Sequence, residues 1–125
     1  AHAQFIRNGL SGEDIVLKSK GEQRRAYCYV IDAVTGLLCV LANGTVGEAY
    51  NISNENSVVS IAEVAQIVAQ ISGTKVVMQL PDDLEKKGYS VPQNCILTNT
   101  KVRNLGWIAH YDIYSGISET ISVLS

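Results

Sequence analysis

The chain is poor in the residues that usually announce chemistry. Its 125 residues hold two histidines, one tryptophan, one phenylalanine, one methionine and two prolines. His2 and His110 lie at opposite ends, neither with a carboxylate at helical spacing, so a histidine metal pair is not expected and His110 reads as a surface residue. The three cysteines, Cys28, Cys39 and Cys95, are odd in number and lack metal-ligand spacing. Cys28 and Cys39 sit in apolar runs as small hydrophobes, which fits a reduced, cytoplasmic protein. No apolar run approaches a membrane span and no charged-then-apolar leader is seen, so no membrane partner is expected. A net charge of −2 excludes a general nucleic-acid binder.

The motif-level absences are sharper. No Gly-x-Gly-x-x-Gly follows a strand, and no Gly-x-x-x-x-Gly-Lys occurs, so the usual phosphate cradles are missing. No serine lies in a Gly-x-Ser-x-Gly elbow. None of the six tyrosines has a lysine four residues on, which removes a common base for hydride chemistry. No catalytic residue, metal ligand or cofactor contact is assigned on spacing. There is also no repeat or low-complexity segment.

What is present describes one folded domain over residues 1–125, with 46% hydrophobic and 18% charged residues. Ala3–Leu10 reads as a short helix with Ala3, Phe5, Ile6 and Leu10 on one face, ended by Gly9 and Gly12. A helix starting at the first residue, in a chain without an initial methionine, predicts a cut from a longer protein. Asp14–Lys18 and Tyr27–Ile31 read as extended segments. Asp32 has the chemistry of an N-cap for a helix over Ala33–Asn43, with Val34, Leu37, Leu38 and Leu41 on one side and Gly44 as a left-handed stop.

Glu48–Ile52 reads as a strand, with Tyr50 and Asn51 as core packing and strand exit, and 53–57 as a loop. Ser60 and Glu63 form a capping box for a helix with a broad apolar stripe (Ile61, Val64, Ala65, Ile67, Val68, Ile71), ended by Gly73. Lys75–Leu80 is a strand closed by Pro81, and residues 82–93 read as a helical turn and mobile loop. Cys95–Thr98 is extended, Thr100 caps a single turn, Trp107 plugs the core behind it, and Asp112 caps a last helix over Ile113–Leu124. Short strands alternating with helices indicate an α/β fold.

One stretch suggests a ligand. Lys18, Lys20, Arg24 and Arg25 fall within eight positions, and the two adjacent arginines lead straight into an apolar run. Arginine is seldom buried without a partner, so the pair is either an anion site or a solvated turn between strands.

Four motifs then resemble one family. They are Gly21-x-Gln23-x-Arg25-x-Tyr27-x-Tyr29-Val30-x-Asp32, Gly47-Glu48-Ala49-Tyr50-Asn51-Ile52, Ser60-Ile61-x-Glu63-x-Ala65, and Lys101-x-x-x-Leu105-Gly106-Trp107 followed by Gly116-Ile117-x-x-Thr120-Ile121. In this order and spacing they are similar to the C-terminal, substrate-binding part of the extended short-chain dehydrogenase/reductases. These are NAD-dependent nucleotide-sugar epimerases, 4,6-dehydratases and UDP-glucuronate decarboxylases.

The resemblance implies a small substrate-binding domain detached from its Rossmann domain, the partner that would bind NAD, with a nucleotide-diphosphate sugar as ligand and a homodimer as a possible state of the parent. It implies that Arg25 grips the diphosphate while Arg24 stays solvent-facing. Val16, Leu17 and Lys18 would lie against the nucleobase, their backbone amides reading its edge. Many relatives carry a second arginine near the position of Asn94, and this chain does not; Lys86 or Lys87 could replace it. A proline common two residues after the tryptophan is Ala109 here. The alternative is a non-catalytic module whose Arg24-Arg25 turn meets an acidic partner. The resemblance leaves the base, the sugar and the reaction open.

Overall fold

A computed structural model of the chain describes residues 1–79 and 94–125. The expected closure at Pro81, the loop over 82–93 and the candidates Lys86 and Lys87 lie outside the described residues. The architecture is α/β, as the alternating pattern predicts.

Helix α1 (His2–Leu10) buries Phe5 and Gly9. Gly9 does not stop the helix but permits close packing on a second one: a Cβ there would sit 2.3 Å from Ser72 Oγ. Strand β1 (Ile15–Leu17) and strand β2 (Arg24–Ala26) follow. The second extended segment is thus three residues earlier than the sequence suggests. Helix α2 (Val30–Asn43) begins before Asp32, and its N-cap position is Tyr29. Asp32 is therefore not the cap. It stands in the first turn, 1% exposed, and binds the far end of the chain. Gly44 ends the helix at φ −70°, ψ 156°, an extended conformation and not the left-handed one expected.

The Glu48–Ile52 strand does not form within the described residues. A 3-10 turn (Glu55–Ser57) leads into β3 (Val58–Ser60) and α3 (Ile61–Ser72). Here local chemistry and structure agree. Ser60 Oγ accepts from Glu63 N at 3.1 Å, Glu63 Oε2 accepts from Ser60 N at 3.0 Å, and Gly73 takes the left-handed stop at φ 71°. Strand β4 (Val76–Met78) follows. Helix α4 (Thr100–Asn104) is capped in position by Asn99, not Thr100. Helix α5 (Ile113–Leu124) carries the expected cap, with Asp112 Oδ1 accepting from Ser115 N at 2.7 Å.

Among the described residues two small sheets result. β1 pairs in parallel with β4, and β2 pairs antiparallel with β3. The core is built on α3: Val64, Ala65, Val68 and Ala69 pack with Phe5 of α1, Ile15 and Leu17 of β1 and Ile117 of α5. Away from this cluster, Val102 and Trp107 are buried beneath α2. Trp107 Nε1 donates to Asp32 O and to Thr35 Oγ1, each at 3.1 Å, so the expected plug is also a hydrogen-bonded one.

Candidate functional site

Strand β2 is the strip on which the site is built. Arg24 to Ala26 pair with Ser60 to Val58 on one edge, and Arg25 bridges in parallel to Cys95 on the other. Asn94 fastens that second edge: its Oδ1 accepts from Arg24 N at 3.0 Å, while Cys95 N donates to Arg24 O at 3.4 Å. Asn94, considered above as a place for a missing phosphate contact, thus holds the arginine strand in place.

Neighbouring side chains on a strand point to opposite faces, so the two guanidinium groups diverge. Arg24 turns toward β3 and α3. Its Nη2 donates to Val58 O at 3.0 Å, and its Nη1 stands 3.7 Å from Glu63 Oε1. The expectation that Arg24 merely faces solvent is corrected: the side chain is partly exposed, yet it ties β2 to the cap of α3. Arg25 lies on the other face. Its Nη1 donates to Arg24 O at 3.0 Å, and its charge reaches Tyr27, two residues along on the same side. Burial raises the Tyr27 phenol above its ordinary value, and the Arg25 charge partly offsets that rise.

The other candidates lie on β1. Leu17 is buried in the core, and its carbonyl accepts from Gln79 N at 2.7 Å. Ile15 N likewise donates to Lys75 O at 2.8 Å. In a parallel ladder this directs residues 15 and 17 toward β4 and leaves the backbone groups of Val16 facing the opposite edge. Lys18 is exposed at the end of the strand. Of the three, Val16 and Lys18 have groups directed away from the core.

The two strands are joined by a turn that also serves α3. Gly21 O accepts from Ala62 N and Gln23 O from Ile61 N, each at 3.0 Å, which satisfies first-turn amides that a helix leaves free. Gly21 adopts φ 63°, and a Cβ there would fall 2.8 Å from Ala62 N, so both conformation and space require glycine.

Where β2 runs into α2, a cavity of about 330 Å³ opens between Tyr27, Cys28, Tyr29 and the first turns of α5, with His2 beside it. None of the four sequence candidates lines it. His2 meets Tyr27 edge-on, ring centroids 4.3 Å apart, and burial lowers its imidazole below the ordinary value. Burial also raises the Cys28 thiol, helped by the nearby Asp32 charge. Sequence reasoning misses these residues because Tyr27 to Tyr29 read as a strand. The tyrosine alternation just behind Arg25 was the available signal.

Among the described residues no group of three or more His, Cys, Asp or Glu is placed to hold a metal ion. The described helices have Ala1, Tyr29, Ser60, Asn99 and Asp112 at their N-cap positions, and no glycine-rich loop leads into any of them to cradle a pyrophosphate. His110 is exposed, and its backbone N–H donates to Asp32 Oδ1 at 2.9 Å.

Comparison with known proteins bears on the family and the fold. The profile of the NAD dependent epimerase/dehydratase family matches residues 1–53. UDP-glucuronic acid decarboxylase 1 of Xenopus tropicalis is 29% identical over 122 residues, covering 95% of this chain and 27% of that protein. The UDP-glucose 4-epimerase of Thermotoga maritima, solved with UDP-glucose, superposes on 98% of this chain and 38% of its own, with TM-score 0.81 and 25% identity. The Bordetella bronchiseptica enzyme WbmF, solved with NAD+ and UDP, covers 97% of this chain and 34% of its own, with TM-score 0.75 and 27% identity. The chain thus spans between a quarter and two fifths of the length of these proteins. In sequence over residues 1–53 and in fold over nearly its whole length, the chain is similar to the NAD-dependent epimerase/dehydratase family.

Proposed function

We propose that this chain is the substrate-binding part of an NAD-dependent nucleotide-sugar enzyme, an epimerase, dehydratase or decarboxylase. Arg25 holds the diphosphate, and the open edge of β1 at Val16 and Lys18 lies against the nucleobase. The observation that carries this is the divergence of the arginines. Arg24 is held by Val58 and Glu63, whereas Arg25, whose Nη1 donates to Arg24 O, stands on the opposite face beside Tyr27. A guanidinium fork suits phosphate oxygens and gives charge-assisted hydrogen bonds. The same divergence disfavours a joint Arg24-Arg25 patch for an acidic partner.

NAD supplies the hydride chemistry of the family, and with no cradle among the described residues its binding belongs to chain outside these 125. This part binds and orients the sugar nucleotide and carries no turnover of its own. A cytoplasmic setting fits its three free cysteines. Titration calorimetry with UDP tests the reading: binding should weaken at least about ten-fold in Arg25→Ala and be partly retained in Arg25→Lys. Unchanged UDP affinity in Arg25→Ala would remove the assignment, and epimerase, dehydratase or decarboxylase turnover by the 125 residues alone would overturn the division of labour.

A further inference from the structure

Strand β2 is held on its two edges by unlike means. On the β3 edge it forms a regular antiparallel ladder, with Arg24, Arg25 and Ala26 opposite Ser60, Val59 and Val58. The flanking bonds, Ile61 N donating to Gln23 O and Tyr27 N to Ser57 O, fall on residues 23 and 27. In an antiparallel pair every second residue turns its backbone groups to the partner, so those of Arg24 point to the other edge. There they meet Asn94 and Cys95. Asn94 Oδ1 accepts from Arg24 N at 3.0 Å, and Cys95 N donates to Arg24 O at 3.4 Å. The second bond is backbone to backbone. The first is made by a side chain and so depends on which residue stands at 94.

The Arg24 carbonyl serves a further donor. A carbonyl oxygen has two lone pairs, and here Arg25 Nη1 also donates to it, at 3.0 Å. The Arg25 guanidinium is therefore fixed to the same oxygen that Cys95 holds. Residue 24 is tied down on every side: its N–H by Asn94, its carbonyl by Cys95, its Nη2 by Val58 O, with Glu63 beside its Nη1. It is the frame, and Arg25 is what the frame presents. Arginine has many rotamers, and ordering it before a ligand arrives removes a cost that binding otherwise carries.

On the reading that Arg25 holds the diphosphate, we infer that Asn94 is a positioning residue of the nucleotide site. It acts on the ligand only through Arg25, by holding Arg24 and so orienting the guanidinium bonded to the Arg24 carbonyl. The bond from Arg24 N to Asn94 is exposed, so water replaces the lost acceptor in Asn94→Ala and the fold persists.

Titration calorimetry with UDP, and NMR of the Arg25 guanidinium, test this on the 125-residue chain. Asn94→Ala should weaken UDP binding about three- to ten-fold, the penalty for ordering one long side chain on binding. In an Arg25→Ala background the same substitution should change UDP affinity by less than about two-fold, because residues that act as one unit do not add. Without ligand, Asn94→Ala should speed amide exchange at Arg24 and merge the Arg25 Nη resonances that a fixed guanidinium keeps apart. A residue that only supports the fold would lower the melting temperature and leave UDP affinity and those resonances alone.

Unchanged UDP affinity in Asn94→Ala, with binding weakened in Arg25→Ala, overturns the positioning role alone. So does an additive loss in the double variant, which would make Asn94 a ligand contact in its own right. Unchanged affinity in Arg25→Ala, or no UDP binding at all, overturns the diphosphate reading. The unliganded Arg25 resonances then still decide whether Asn94 orients the guanidinium.

Discussion

Asp32 is almost fully buried, and both oxygens of its carboxylate are engaged: Oδ1 accepts from His110 N and Oδ2 from Tyr111 N, each at 2.9 Å. Its backbone carbonyl takes the Trp107 indole. One residue in the first turn of α2 thereby clasps the segment that leads into α5. Replacing it with alanine leaves two backbone donors without partners, at about 1–3 kcal/mol each. Asp32→Ala should lower the chemical-denaturation midpoint markedly, and Asp32→Asn, which keeps one acceptor oxygen, should lose about half as much. An Asp32→Ala variant as stable as the parent would show the clasp to be idle. Arg24 and Arg25 make the same point. Adjacent in sequence and identical in chemistry, they are separated by the strand into a structural residue and a candidate anion contact.

Among the elements, α3 is the one around which the others assemble, and its ends are held by local chemistry. Ser60→Ala should cost about 1 kcal/mol by removing the acceptor for Glu63 N. Gly73→Ala should cost a similar amount, because alanine is strained at φ 71°. Urea denaturation of both single variants and their double checks this. The two ends are a helix apart, so the effects should add, and strong non-additivity would show that the helix frays as one unit. Glu63 ties this element to the site, since its carboxylate serves both the α3 cap and Arg24. Glu63→Gln should therefore loosen β2 as well as the helix start, seen as faster amide exchange at 24–26.

For the molecule as a whole, acid should be destabilising in two steps. His2 has its folded value lowered from the ordinary 6.5 by burial and then by the neighbouring amino terminus. The unfolded chain takes up that proton first, so stability falls as pH drops below about 6.5. Glu48, held down by Lys101, Glu55 by Asn99 N–H and Asp112 by Ser115 N–H, form the second step. Their stabilisation is present above the ordinary carboxylate values of 4.5 for glutamate and 3.8 for aspartate, and is lost below them. Thermal melts between pH 7.5 and 3 should show both steps, and His2→Gln should remove the first. A first step that survives His2→Gln would point to another group.

By itself the sequence determined the features that depend on near neighbours. The capping box at Ser60, the cap at Asp112, the left-handed Gly73, the apolar stripe of α3 and the α/β class are all legible, because a cap or a helical stripe is made within a few residues. Asp32 reads locally as a cap because its partners His110 and Tyr111 lie 78 and 79 residues away and leave no mark on the local pattern. The α2 stripe was legible as apolar, but not as outward-facing, as Val34, Leu37, Leu38 and Leu41 are in this chain. Amphipathicity says that a side will be covered; only packing says by what. Arg25 could be chosen over Arg24 on the family pattern, whereas the physical basis for that choice, Arg24's bonds to Val58 and Glu63, exists only once β2, β3 and α3 have come together.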